Sequence, residues 1–319
     1  MPATPATEDP QPPAALPLTT CFRHPKRESY IRCTRCERFI CPDCMRDAPV
    51  GHQCPECVKS GQRSVRQPRS RFGARAGTKP VLTYLLIALN VLVYLAELAD
   101  RHVVDRFADL GQGVRGPDGA FYVVAGDSLP PGFHAVGIAH GEWYRLITSA
   151  FVHQLPTGGA FGITHILLNM ASLWMFGRVV EEQLGRLRFL ALYLVSALGG
   201  SVLFYQLDPT GSAVGASGAI FGLIGAYFLM TRRMRYDPLG GGRQLIYAVV
   251  WLVGSAGITA WQGHLGGLLA GSAVGAAFVF APRAGRAVIQ ALAVLAVVAV
   301  LVLLVVAKNA DVVSSVPWG

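Results

Sequence analysis

Four polar side chains interrupt the apolar part of this chain in a pattern suited to acyl transfer: Ser217, His264, His165 and Asn169. Ser217 lies in GASGAIFGLIGA, residues 215–226, flanked by small residues. A serine hydroxyl is a poor nucleophile until a neighbouring base takes its proton. A histidine such as His264, in WQGHLGGLLAG, can take that proton and later return it to a leaving amine. Attack on a carbonyl develops an oxyanion that needs fixed donors aimed at it. The backbone N–H of Ser217 can be one; the side chains of His165 and Asn169, four apart in THILLNM and so on one helix face, can be others. Each residue also has a structural alternative, a serine bonded back to its own helix or a histidine held by a polar partner.

A second constellation is made of cysteine. All seven cysteines fall between Cys21 and Cys57, in the pairs CFRH (21–24), CTRC (33–36), CPDC (41–44) and CPEC (54–57). Two intervening residues let both members of a pair turn toward one ion, and eight ligands suffice for two closed tetrahedral zinc sites. Disulfides are the alternative, disfavoured in a reducing compartment. Cys21, His24, Cys33, Cys36, Cys41, Cys44, Cys54 and Cys57 are the candidate ligands, with His52 a ninth. Closed sites leave no open coordination position, so two zinc ions here would be structural.

The elements that must position these groups follow from composition. The chain has 319 residues, 52% hydrophobic and 15% charged, with a mean hydropathy of +0.41; soluble domains are about a quarter charged. Seven runs approach the ~20 apolar residues a spanning helix needs: roughly 80–99, 163–181, 188–207, 214–231, 244–257, 259–281 and 287–307. The fifth is the weakest, and six spans is the alternative. With seven spans and the N-terminus inside, the segments on the inner side hold 23 of the 28 Lys and Arg, as the positive-inside rule requires. Residues 1–79 are then cytoplasmic and the C-terminus exterior. Residues 1–20, rich in Pro, Ala and Thr, read as a disordered lead-in rather than a signal peptide. The first exterior loop, about 100–162, is long enough to have a role of its own, with Trp143 and Tyr144 expected at headgroup depth.

This topology puts Ser217, His264, His165 and Asn169 in the exterior half of the bilayer. His264 lies about six residues into its run, roughly 9 Å deep at 1.5 Å per residue. Polar groups at that depth need a reason. Gly263, Gly267 and Gly271 are spaced by four, as are Gly218 and Gly222, and Gly215 and Gly225 add to the small surface. Such stripes let two helices approach closely, which would bring Ser217 and His264 within hydrogen-bond reach.

With these residues in view, the chain resembles the rhomboid family of intramembrane serine proteases over roughly residues 80–282. GASG at 215–218 is similar to the family's GxSG, His264 with Gly267 and Gly271 to its HxxGxxxG, and His165 to Asn169 to its HxxxN. The resemblance implies Ser217 as nucleophile and His264 as general base, a dyad without an aspartate. It also implies an oxyanion site from Ser217, His165 and Asn169, with Gly215, Gly218 and Phe221 in support. His153, in SAFVH, fits a further family histidine. Two departures stand out: Tyr144-Arg145 where the family has Trp-Arg, and Phe221 where some members have a tyrosine on the base. The cysteine spacing resembles a B-box-type zinc finger, whose alternating pairing would join Cys21, His24, Cys41 and Cys44, and separately Cys33, Cys36, Cys54 and Cys57. Sequential pairing remains open.

The expected fold is an all-α polytopic membrane protein. Its organisation would be a lead-in (1–20), a small zinc-stabilised cytoplasmic domain (21–60), a basic linker (61–79), a rhomboid-like six-helix core (80–282) and one additional C-terminal transmembrane helix with a tail (283–319). The expected function is cleavage of peptide bonds in or near transmembrane segments of membrane proteins in the cell membrane, with no cofactor needed for catalysis. A protein partner for the zinc domain is conceivable and no nucleic acid is expected. The rival readings are a catalytically inactive membrane-binding member and a transporter with a histidine proton relay, for which no span carries a convincing set of charges.

Overall fold

The computed structural model describes residues 19–64, 68–75, 77–122, 128–157 and 161–315. The expected lead-in lies almost wholly outside the described residues, as does part of the basic linker. The chain divides into two units, residues 1–67 and 68–319.

The first unit has little apolar material to bury. Strand β1 (Thr20–Cys21) pairs antiparallel with β2 (His24–Glu28), and β3 (Arg46–Asp47) with β4 (His52–Gln53). Helix α1 (Pro55–Ser64) follows. The interior is six buried cysteines and Ile40, with Phe22, Cys36 and Met45 packed against them. So few hydrophobic side chains do not hold a domain of this size without a cross-link or an ion.

The second unit is helical. Five helices are long and apolar enough to cross a membrane: α2 (Val81–Ala99), α3 (Ile163–Leu184), α4 (Arg186–Leu207), α7 (Trp261–Phe280) and α8 (Arg286–Ser315). This makes the chain a multi-pass membrane protein. Between α4 and α7 lie α5 (Ser217–Thr231) and α6 (Gly241–Gly254), of 15 and 14 residues. At 1.5 Å per residue these reach only about 22 Å, short of a hydrocarbon core roughly 30 Å thick. The seven apolar runs thus coincide with seven helices, two of them shorter than a full span.

The loop between α2 and α3 is folded. Strand β5 (Asp109–Leu110) pairs with β9 (Ser212–Ala213), just before α5. Strand β6 (Gly113–Arg115) lies between β7 (Phe121–Tyr122) and β8 (His134–Val136). A fully buried arginine anchors the loop: Arg145 donates from Nε to Glu142 Oε2 at 2.7 Å, and from Nη1 to the carbonyls of Asp105 and Ala108, both at 2.9 Å. The Tyr144-Arg145 departure therefore keeps the guanidinium that ties the loop together. Trp143 and Tyr144 stay about two-fifths exposed, as residues at a membrane–water interface do.

Helix α7 packs most closely on α5 and α4, because the facing positions are glycine or alanine. A Cβ on Gly267 would overlap the Gly218 carbonyl, and one on Gly271 would overlap the Gly222 backbone. On the α4 side, a Cβ on Gly200 would sit 2.7 Å from the Gly263 carbonyl oxygen. Helix α8 packs on the outside of α4 and α7. It is pinned near both ends: Arg188 Nε donates to Gln290 Oε1 at 2.7 Å, and Tyr205 donates to Asn309 Oδ1 at 2.6 Å.

Helix α2 starts after Pro80 with no side-chain cap of its own. The fully buried Glu181 of α3 fills that role, accepting from the Leu82 N–H (3.0 Å), the Thr83 N–H (2.8 Å) and the Thr83 hydroxyl (2.8 Å). These donors are the orphan N–H groups of a helix start, and a carboxylate there also suits the helix dipole. Glu181→Ala should lower stability by about 2–3 kcal/mol, since hydrogen bonds to a charged group contribute on the order of 1.5–3 kcal/mol each before relaxation. Glu181→Gln should lose less, because one carbonyl oxygen remains to accept. Thermal unfolding of the purified variants in one detergent checks this order.

Candidate active site and metal-binding groups

The start of α5 carries the polar cluster. Ser217 is the first residue of that helix, so its N–H belongs to the turn that has no intrahelical acceptor. Its Oγ lies 2.9 Å from His264 Nε2 on α7. The His264 ring is buried and stacked on Phe221, with centroids 4.5 Å apart and planes within 5°. Among the described residues its Nδ1 has no hydrogen-bond partner. The ring is held by stacking and by the serine rather than by a carboxylate.

His165 and Asn169 sit across from Ser217 on α3. The backbone N–H of Gln154 donates to His165 Nδ1 at 3.2 Å. In the neutral ring this puts the proton on Nε2, which becomes a donor. Asn169 Nδ2 spends one proton on the His165 carbonyl at 2.8 Å and keeps the other. Gly215 joins the two helices at this point. Its φ of +119° is open to glycine, and a Cβ there would lie 2.7 Å from His165 Cε1 and 2.9 Å from Nε2. Gly218 makes the contact with α4 and α7 described above. All four polar residues line one cavity of about 690 Å³, bordered by Met175 on α3 and by Tyr247 and Trp251 on α6.

Further residues surround this cluster, among them His153, which the sequence had already marked. His153 is fully buried, its ring 5.3 Å from that of His165, and its N–H donates to both carboxylate oxygens of Glu97 at 3.1 Å. Glu97 lies buried in the last turn of α2, and no sequence motif singles it out. Behind Ser217 is a second, small cavity of about 40 Å³, lined by Asp109, Ser149 and Ser201 among others. The Ser149 and Ser201 hydroxyls are 3.1 Å apart. That space is large enough and polar enough to take a water molecule. No spacing rule links residues 109, 149 and 201; only β5 and the packing of α4 bring them to the serine.

In the first unit, two ligand groups form: Cys21, His24, Cys41 and Cys44, and Cys33, Cys36, Cys54 and Cys57. The ligand atoms of each group lie within 4.8 Å of one another. The pairs therefore alternate, which decides against sequential pairing. No cysteine is in a disulfide. Four sulfurs about 2.3 Å from one ion at tetrahedral angles would be about 3.8 Å apart, and the Cys36 and Cys54 sulfurs are 3.8 Å apart. Burial and the neighbouring cysteine sulfurs push Cys44 up to about 11 and Cys57 up to about 12, a crowding that a divalent cation relieves. Each group could thus hold a metal ion. His52 belongs to neither and approaches Asp47 at 3.4 Å.

Comparison with known proteins bears on the helical unit. Residues 140–283 match the sequence model of the Rhomboid domain, a span that includes His153, His165, Asn169, Ser217 and His264. The chain is 31% identical over 211 residues to Rhomboid protease GluP of Bacillus subtilis, covering 65% of this chain and 36% of that one. It is 34% identical over 152 residues to the putative rhomboid protease YdcA of the same organism, covering 47% and 62%. RHOMBOID-like protein 5 of Arabidopsis thaliana is 34% identical over 155 residues, covering 46% and 48%. The chain thus spans between about a third and just under two thirds of the length of these relatives. The segment that carries the motifs is thus similar to the Rhomboid domain, and the relatives it resembles bear that family's name.

Proposed function

We propose that the chain is an intramembrane serine endopeptidase that cleaves peptide bonds in or near transmembrane segments of other membrane proteins. The observation that supports this most is the 2.9 Å contact of Ser217 Oγ with His264 Nε2 at the floor of a cavity between apolar helices. In this reading Ser217 Oγ attacks the scissile carbonyl carbon while His264 Nε2 takes the hydroxyl proton. The oxyanion accepts from the Ser217 N–H, the free Asn169 Nδ2 proton and His165 Nε2. Collapse breaks the C–N bond, and His264 gives its proton to the departing amine. His264 then takes a proton from water, whose oxygen attacks the Ser217 ester; the acid leaves and the serine hydroxyl is restored. The small polar cavity behind Ser217 is a reservoir for that water.

A substrate segment would reach Ser217 between α3 and α6, where Met175, Tyr247 and Trp251 border the cavity. The sixfold-plus-one reading of the helices, with the N-terminus cytoplasmic and α8 as the additional span, goes with this proposal. So does a B-box-like unit held by two structural zinc ions. That unit would offer its surface to a protein partner and take no part in the chemistry. The deciding experiment combines cleavage of a reporter transmembrane substrate with fluorophosphonate labelling. Wild-type protein should do both; Ser217→Ala should lose labelling and at least ~10³-fold in cleavage rate, with His264→Ala losing a comparable factor. A folded wild-type chain that neither cleaves a panel of substrates nor labels would instead be a non-catalytic membrane-binding protein.

Two further outcomes follow. Gly215→Ala forces the backbone and His165 apart, so cleavage should fall by about 10²-fold, the scale of an ångström-sized misplacement, with a lower thermal midpoint from the strained backbone. Metal analysis of the full-length protein should return about two zinc ions per chain, falling to about one in Cys33→Ser. One ion in the wild type would overturn the two-site assignment.

A further inference from the structure

At the opposite end of α5 from Ser217, the chain gathers positive charge around a second cavity. This cavity, about 720 Å³, lies where α3 and α5 end and is lined by Arg71, Arg178, Arg233 and Arg235, with Glu182 the one carboxylate. The guanidiniums come from three separate segments. Arg178 projects from α3, Arg233 and Arg235 follow α5, and Arg71 belongs to residues 68–75, which fold back over the helix ends. That fold-back is fixed: Ser70 Oγ donates to the Gln183 carbonyl at 2.6 Å, Phe72 is buried, and Arg71 Nη1 donates to the Arg233 carbonyl.

The arginines have a structural use, because helix C-termini offer carbonyls that basic side chains satisfy. Arg71 makes such a bond, and Arg233 Nη1 donates to the Val279 carbonyl at 3.4 Å. Carbonyls leave the formal charges in place, however. Among the described residues none of the four forms an ion pair. Arg178 Nε is buried and without a partner. Like charges confined to one pocket repel unless an anion sits between them, and a fork of guanidiniums suits phosphate oxygens.

The surroundings identify the source of that phosphate. The Arg178 guanidinium lies 3.9 Å over the ring of Trp174, one turn further along α3 toward the membrane. Trp174 is exposed, as are Leu167 and Leu168 on the same helix. An apolar track therefore runs directly from the basic cavity onto a lipid-facing surface. A soluble phosphate has no use for that track; an acyl chain does. We propose that this cavity binds the phosphate headgroup of an anionic phospholipid, with Arg178, Arg233 and Arg235 on the phosphate and the acyl chain passing over Trp174. Basic pockets among transmembrane helices on the cytoplasmic side are suited to this chemistry. The site is separate from Ser217 and does not depend on peptidase activity.

The test uses delipidated full-length protein in detergent, with native mass spectrometry and thermal unfolding as readouts and phosphatidylglycerol and phosphatidylcholine as probes. Wild-type protein should retain phosphatidylglycerol at least fivefold over phosphatidylcholine and unfold at a higher temperature with it. Arg235→Gln, at an exposed side chain, and Arg233→Gln should each cut that preference severalfold, whereas Arg101→Gln, remote from the cavity, should not. Glu182→Gln, which removes the opposing charge, should strengthen retention. Equal retention of the two lipids, or an unchanged preference in both arginine variants, would overturn the proposal. So would stabilisation by inorganic phosphate matching that by phosphatidylglycerol, since the site would then take the free anion. A protein that keeps the lipid preference and cleaves nothing would separate this site from the peptidase reading.

Discussion

Backbone-to-backbone contact of α7 with α4 and α5 is the constraint on which the rest of the structure turns. In hydrocarbon there is no hydrophobic gain from pressing one apolar helix on another, so close packing has to supply the attraction. Glycines on all three helices permit it, and a methyl group at Gly267 or Gly271 would overlap the neighbouring backbone. The same contact sets the separation of Ser217 and His264, which lie on the two facing helices one turn from the glycine pairs. A wider interface built on leucine would hold the helices further apart by about a side chain and leave the histidine out of reach. Packing and chemistry therefore share one set of residues.

A second theme is the substitution of buried polar anchors for local helix signals. Helix α2 lacks a cap in its own sequence and borrows Glu181. The loop between α2 and α3, whose strands are two or three residues long, is held by Arg145 reaching three acceptors. Helix α8 is attached through Gln290 and Asn309 rather than by an extensive interlocked face. Each of these groups is costly in an apolar setting unless fully paired, and the pairing makes each contact specific to one arrangement. The non-helical backbone leading to Ser217 obeys the same logic: it pairs as β9 with β5 and lines a cavity, which is where irregular backbone is tolerated at membrane depth.

The two units solve different stability problems. The helical one keeps many large apolar side chains exposed along its long helices, as a multi-pass membrane protein does. The N-terminal one has almost none and gathers its sulfurs into two groups instead. Basic charge is likewise divided in use. Arg145 is buried and bonded through Nε and Nη1 to the loop it holds, whereas the arginines at the far end of α5 stand without ion partners among the described residues, around an open cavity.

Much of this was legible in the order of residues. Hydropathy located the seven apolar helices α2 to α8, because each is a nearly unbroken apolar run. Depth along those runs put Ser217, His264, His165 and Asn169 at one level, and the glycine spacing named the helices that meet. The C-x-x-C spacing marked the residues that gather into the two groups, because a pair two residues apart has little choice but to face one point. The sequence could not show that α5 is short, that the cysteine pairs alternate between two groups, that Glu97 meets His153, or that Asp109, Ser149 and Ser201 lie near the serine. Nor could it show that Arg71 folds back beside Arg178 and Arg233. Local pattern determines what each segment is, since helix period and membrane depth repeat over a few residues. Which segments touch depends on contacts between residues a hundred positions apart, and those are decided only when the helices pack.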